Sequence, residues 1–185
     1  MKKIMMTLAA VAVAATMNAQ VYLGGSIGFE STSQDGNSET FFSIMPEIGY
    51  NLNEDWAVGI VLGYGESRDK ANKTTIDKVK SFTISPYARY TFVKFDKVNL
   101  FVDGVVSYTN IKQTNSLTNT DSKTNIFSVG LKPGVAVNLN EKLSFVAHAG
   151  FLGYTNSKTE DEKAINNVAL GIDASSLSFG VFYNF

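Results

Sequence analysis

The stretch Ser175–Phe185, SSLSFGVFYNF, puts Leu177, Phe179, Val181, Tyr183 and Phe185 on every second position, ending on the final residue. Bulky apolar residues alternating with Ser, Gly and Asn form the period-two pattern of a strand with one apolar face. Chain ends are usually polar and frayed, so an apolar strand at the end predicts a sheet in which that strand has a partner.

Seven further segments alternate in the same way: Val21–Phe29, Phe42–Leu52, Trp56–Tyr64, Phe82–Phe92, Leu100–Tyr108, Phe127–Leu139 and Leu143–Phe151. They are rich in Val, Ile, Phe and Tyr, and none after the first twenty residues shows a helical stripe. Their connections are of two kinds. Asn53-Glu54-Asp55, Asp96-Lys97 and Asn140-Glu141-Lys142 read as tight hairpin turns. Four others, near 32–39, 67–79, 113–123 and 156–166, are long and polar. Short turns on one side and long loops on the other are the pattern of a transmembrane barrel. A repeat of proline, strand, turn, strand and tyrosine recurs after Pro46, Pro86 and Pro133 and fits an up-and-down meander. Proline interrupts a ladder, so a bulge is expected at each of the three.

Alternation alone does not say which face meets solvent. The second face does. It carries Tyr22, Gly24, Ser26 and Gly28; Ala57, Gly59 and Gly63; Ser128, Gly130 and Gly134; and Ser178 and Gly180. Those side chains suit a narrow eight-stranded lumen, whereas a water-facing exterior would carry Lys, Glu and Thr. The charges on this face are Glu30, Glu47, Arg89, Asp103 and Lys132, with the chain's one histidine, His148. All but Glu30 fall at similar depth counted from the short turns. If Phe92 faces Leu100, Arg89 faces Asp103. These residues are expected to form a mixed-sign network across the lumen, paired because lone buried charges are costly. Aromatics at both margins, Tyr50, Trp56, Phe92 and Tyr183 at the short turns and Tyr64 and Tyr108 at the long loops, fit interfacial girdles.

The chain has 185 residues, no cysteine and a formal net charge of −1. That excludes disulfides, zinc-thiolate sites and a cysteine nucleophile, and gives no reason to expect nucleic acid as a partner. Residues 1–19 combine Lys2 and Lys3, an apolar run and small residues, as a secretory signal peptide does, with cleavage expected after Ala19. The remainder, 20–185, suits one domain. No metal-ligand spacing, phosphate loop, nucleophile elbow or catalytic carboxylate pair is present, so no catalytic, cofactor or metal residue is assigned.

With that signal, eight alternating strands, the short/long turn pattern and SLSFGVFYNF at the end, the chain resembles the small bacterial outer-membrane β-barrels of the outer membrane protein X and outer membrane protein A type. The resemblance implies an eight-stranded antiparallel up-and-down transmembrane barrel in the bacterial outer membrane, monomeric, with its long loops extracellular. It also implies that Phe179, Val181, Tyr183 and Phe185 are a signal read by the outer-membrane assembly machinery, Phe185 closing the barrel against the first strand. Outer-membrane lipids and lipopolysaccharide are the expected partners. Loop lysines and arginine (Arg68, Lys70, Lys73, Lys78, Lys80) are candidates for contact with lipopolysaccharide phosphates. The function expected is non-catalytic, structural or surface-interacting. Alternatives are a lipid-modifying enzyme built on His148 with Ser144, or a narrow pore or transporter.

Overall fold

The structure, a computed structural model, describes residues 20–34, 37–71, 74–115, 120–160, 163–171 and 177–185. The expected signal peptide, 1–19, and the loop residues Lys73, Asp161 and Glu162 lie outside the described residues, as does the side chain of Lys70. Ten strand segments follow in chain order: β1 Val21–Gln34, β2 Asn37–Asn51, β3 Trp56–Ala71, β4 Thr74–Lys94, β5 Val98–Asn115, β6 Thr120–Asn138, β7 Leu143–Ala149, β8 Phe151–Thr159, β9 Ile165–Gly171 and β10 Leu177–Asn184. From β1 to β6 each strand pairs antiparallel with its neighbour in sequence, and β1 pairs with β10 to close the ring. β7 and β8 run consecutively along β6, while β9 and β10 run along β8 and β7, so the ten segments make eight barrel passages. At the seam, the Phe185 amide donates to the Val21 carbonyl at 3.2 Å. The final residue is therefore docked on the first strand, as its apolar side chain suggested.

Parity decides the two faces as expected. Phe42, Ile44, Trp56, Leu62, Tyr108, Val129, Leu131 and Val181 point outward and are exposed, with no protein to cover them. The buried set, Tyr22, Ala57, Tyr87, Phe101, Val105, Val146 and Phe182, lies inside. Four of these residues are aromatic, and the small-residue reading of the lumen included only Tyr22 among them. The glycines explain how they fit. A Cβ on Gly24 would overlap the Phe182 ring, one on Gly49 the Tyr22 ring, one on Gly59 the Tyr87 ring and one on Gly134 the Phe101 ring. Each of these glycines is thus the socket of an aromatic knob.

Strict alternation is interrupted in places. Gly150, with φ of 76°, separates β7 from β8. Gly134 faces His148 while Leu131 faces Leu152, so the strand gains one residue there. This bulge reverses the parity beyond it. Phe151, expected on the lipid side, packs against the interior cluster. A second shift, between Thr91 and Val93, leaves Phe92 unpaired and puts Leu100 opposite Val93. The Phe92–Leu100 pairing is therefore corrected, although Arg89 does face Asp103. The prolines also differ from expectation. Pro46, Pro86 and Pro133 pair with Gly25, Ile60 and Val102 on the preceding strand. None pairs with the following strand, where the missing N–H would be needed. Only Pro133 lies opposite a bulge, at Gly150. At Pro46 and Pro86 the register continues unchanged.

The connections also take more definite forms than composition suggested. In Asn51-Leu52-Asn53-Glu54 and Asn138-Leu139-Asn140-Glu141 the same turn is built twice. The Asn53 Oδ1 accepts the amides of Asp55 and Trp56, both at 2.9 Å, and the Asn140 Oδ1 those of Lys142 and Leu143, at 2.9 and 2.8 Å. The four long polar segments are largely not loops. β1 and β2, β3 and β4, and β5 and β6 stay paired up to Gln34–Asn37, Ala71–Thr74 and Asn115–Thr120. β8 and β9 form a fourth such hairpin, and β9 itself was not legible as a strand.

If glycine sockets set the packing, Gly134→Ala should lower the unfolding free energy by about 1–3 kcal/mol. Gly104→Ala, whose Cβ would meet nothing nearer than 3.8 Å, should be close to neutral. Urea unfolding of the barrel in phospholipid vesicles measures both.

Candidate functional site

The interior-facing positions at mid-barrel come from six strands, and the sheet's closure brings them together. Arg89 on β4 and Asp103 on β5 are cross-strand partners. The guanidinium donates to both carboxylate oxygens, Nε to Oδ1 at 2.7 Å and Nη2 to Oδ2 at 2.9 Å. Such a bidentate fork is the strongest form of this pair. On its other side Nη2 lies 3.7 Å from the Glu47 carboxylate of β2. The Tyr87 hydroxyl donates to Glu47, and the Tyr22 hydroxyl bonds to that of Tyr87. At the far end His148 of β7 places Nε2 2.9 Å from the second Asp103 oxygen. A continuous chain, Tyr22–Tyr87–Glu47–Arg89–Asp103–His148, therefore crosses the lumen. Aromatic faces seal it. The Arg89 guanidinium carbon lies 4.0 Å from the Phe101 ring centre and 5.7 Å from that of Phe182. Phe101 also meets the His148 ring edge-on at 5.3 Å.

Of the six residues expected in the network, four are joined: Glu47, Arg89, Asp103 and His148. Lys132 faces Asp103 across β5–β6 but forms no ion pair within 4 Å among the described residues. It instead lines a chamber with Glu47, Asp103 and His148. Glu47 and Asp103 both lie within 4 Å of the Arg89 guanidinium. The side chain of Glu30 lies outside the described residues. Its backbone pairs with Phe41, six residues along β1 from Gly24, which faces Glu47. The interior residues that sequence reasoning missed are Tyr87, Phe101 and Phe182. Parity would have found them, since Tyr87 stands two before Arg89 and Phe101 two before Asp103.

The belt divides the interior. On the long-hairpin side lies a chamber of about 90 Å³ lined by Glu47, Ser85, Lys132 and His148. On the short-turn side is an open vestibule of about 490 Å³ lined by Asn51, Asn99, Asn138, Asn184 and Ser144. Ser144 and His148 consequently open onto different compartments. The Ser144 hydroxyl donates to Asn138 Oδ1 at 2.8 Å, and His148 is held by Asp103. Among the described residues no group of His, Asp and Glu could hold a metal ion.

A closed, outward-apolar ring is the geometry of a lipid-embedded barrel, and the comparisons agree. The family model for the outer membrane protein beta-barrel domain matches residues 4–185. The chain belongs to that family. Its place is the bacterial outer membrane. Among curated proteins no similar sequence is found. The fold is similar to that of the N-terminal β-barrel domain of Pseudomonas aeruginosa OprF. The TM-score is 0.52 and the identity 17%, over 90% of this chain and 98% of that one. It is likewise similar to Neisserial surface protein A, with a TM-score of 0.51 and 18% identity, over 91% and 98% of the two chains. At these identities the likeness concerns the fold.

In an outer-membrane barrel the exposed aromatics mark the bilayer margins. Trp56 and Tyr90 pack 4.8 Å apart near the short turns. Toward the long hairpins, Tyr108 donates to Asn125 at 2.9 Å and Tyr154 to Asn166 at 2.7 Å, ring toward lipid and hydroxyl toward water. Beyond that margin Glu66 is gripped by Arg68 and accepts from Tyr64. The hydrogen bond from Arg68, then that from Tyr64, pulls its carboxyl down to about 2. In the final strand Phe179, Val181 and Tyr183 face lipid, and Phe185 meets Tyr183 edge-on at 5.0 Å.

Two outcomes follow from this geometry. Arg89→Leu should cost about 3–5 kcal/mol by stranding buried carboxylates. Arg89→Leu/Asp103→Leu should lose less than the sum of the single changes, and urea unfolding in vesicles gives all three values. A carboxyl whose folded pKa is depressed stabilises above the ordinary carboxylate range and loses that contribution as pH falls. For Glu66 the loss should run from the ordinary carboxylate range down to about pH 2, and Arg68→Ala should move its carboxyl toward the usual value in an NMR titration.

Proposed function

We propose that the barrel is a sealed, non-catalytic component of the outer membrane. Its β1–β2, β3–β4, β5–β6 and β8–β9 hairpins project from the cell as surfaces for contact, and its short turns face the periplasm. The observation that carries this reading is the lumen belt: a forked Arg89–Asp103 pair, flanked by Glu47 and His148 and capped by Phe101 and Phe182. An ion crossing the barrel would have to break buried charge-assisted hydrogen bonds, each with a large desolvation cost once unpaired. The separate commitments of Ser144 and His148 support a non-catalytic role over the lipid-modifying alternative. In this reading residues 1–19 are removed after Ala19. The strand ending in Phe179, Val181, Tyr183 and Phe185 is presented to the assembly machinery, and the barrel works as a monomer among outer-membrane lipids and lipopolysaccharide.

Planar-bilayer recording tests the seal. The wild-type barrel should show no large, stable open state, and Arg89→Leu should raise the frequency of brief openings. A large, stable conductance in wild type would overturn the proposal in favour of a pore. His148→Ala should leave lipid A structure unchanged in whole cells, whereas loss of a lipid A modification would establish the enzyme reading.

A further inference from the structure

The outer surface just beyond the long-hairpin aromatic margin carries an arrangement that barrel construction does not require. Glu66, Lys80, Lys112 and Lys123 are consecutive cross-strand partners on β3, β4, β5 and β6. Lys80, Lys112 and Lys123 thus stand directly opposite one another, all exposed. Like charges facing each other across a ladder are destabilising. The acidic neighbours offset them only in part. Glu66 is taken by Arg68 and by Lys78 at 3.3 Å. Asp121 pairs with Lys112 at 2.7 Å. Lys80 and Lys123 form no ion pair within 4 Å among the described residues. Glu160, whose amide bonds to the Lys123 carbonyl, is the remaining carboxylate on this face among the described residues. With Lys158 opposite Asn125, six cations (Arg68, Lys78, Lys80, Lys112, Lys123, Lys158) meet three carboxylates among the described residues, leaving three positive charges in excess there.

The height of the row is equally specific. Lys80 lies two residues from Phe82, Lys112 four from Tyr108 and Lys123 four from Phe127, each of those aromatics being exposed on the lipid side. Along tilted strands this raises the row by roughly 5–10 Å above the aromatic margin. That is about the depth of a headgroup layer, and lysine stems can bend to adjust it. The same parity that turns Phe82 and Tyr108 to lipid turns these lysines to the lipid headgroups.

We propose that the Lys80–Lys112–Lys123 row is a binding site for the phosphate groups of anionic lipid in the leaflet around the long hairpins. The proposal deepens the partner reading above by fixing its residues and chemistry. It rests on the barrel's membrane placement and is independent of whether the lumen is sealed. The phosphates relieve the opposed charges, and the ladder fixes the spacing of the three ammonium groups.

The test uses folded full-length barrel in non-ionic detergent, titrated with phosphatidylglycerol or phosphatidylcholine of equal chain length and read by native mass spectrometry. Folding of every variant is verified by heat-modifiable gel migration, which keeps failure of the site distinct from failure of the barrel. Wild type should prefer phosphatidylglycerol, at roughly fivefold per engaged lysine, and raised salt should weaken the preference. Lys80→Gln/Lys112→Gln/Lys123→Gln should lose at least about tenfold of it. Lys97→Gln/Lys142→Gln, at the short turns, should lose none. Should the triple variant fail to fold, the single change Lys123→Gln and the salt dependence of wild type carry the same test. An unchanged preference in the folded variants would overturn the proposal. So would equal competition by inorganic phosphate, which would assign the site to free anion.

Discussion

A bilayer core offers no water to an unpaired amide or carbonyl, so a sheet can cross it only as a closed ring. The rest of this structure follows from that closure. The Phe185 amide on the Val21 carbonyl and the four-residue β1–β10 ladder complete the circle. Eight strands then leave a lumen only a few side chains wide. Whatever points inward must fit that narrow lumen, and whatever points outward must suit lipid.

The packing solution alternates bulk with absence. Tyr22, Tyr87, Phe101 and Phe182 occupy space made by glycines on other strands, and they bring low-dielectric walls to the Arg89–Asp103 pair. In such surroundings a forked, charge-assisted pair is strong while intact and costly when broken. The belt therefore works as a cross-brace: strands β2, β4, β5 and β7 are tied through Glu47, Arg89, Asp103 and His148 as well as through their ladders. Asparagines and a small vestibule lie to one side of the brace and a smaller chamber to the other. The polar groups that satisfy one another occupy one layer across the lumen.

How much of this could be read from residues alone depends on the length scale. Strand number, the outward face, the Arg89–Asp103 pairing and the docked last residue follow from a period of two and from turn residues. Each is a repeated or local signal. The errors arose where one residue changes parity. Gly150 adds a residue and turns Phe151 inward, and the shift at Phe92 moves Leu100 opposite Val93. Neither glycine nor phenylalanine announces a bulge in sequence. The aromatic knobs were hidden for another reason: their sockets lie on different strands, so Gly134 and Phe101 are related only by the ladder. β9 escaped because Ile165 and Val168 are three apart and the intervening residues are both asparagine. Polar composition suggested loops where strands continue, since the extended hairpins stand above the apolar band and need no greasy face.

The central claim is the inversion: apolar side chains toward lipid, with aromatics and compensated charges within. Depth-dependent fluorescence quenching by brominated phospholipid measures it directly. Single tryptophans would be placed in turn from Val105 to Tyr108 and from Phe127 to Leu131, in a Trp56→Phe background. Quenching should be strong at Val106, Tyr108, Phe127, Val129 and Leu131 and weak at Val105, Ser107, Ser128 and Gly130. The opposite alternation, or uniform weak quenching along both strands, would contradict the account.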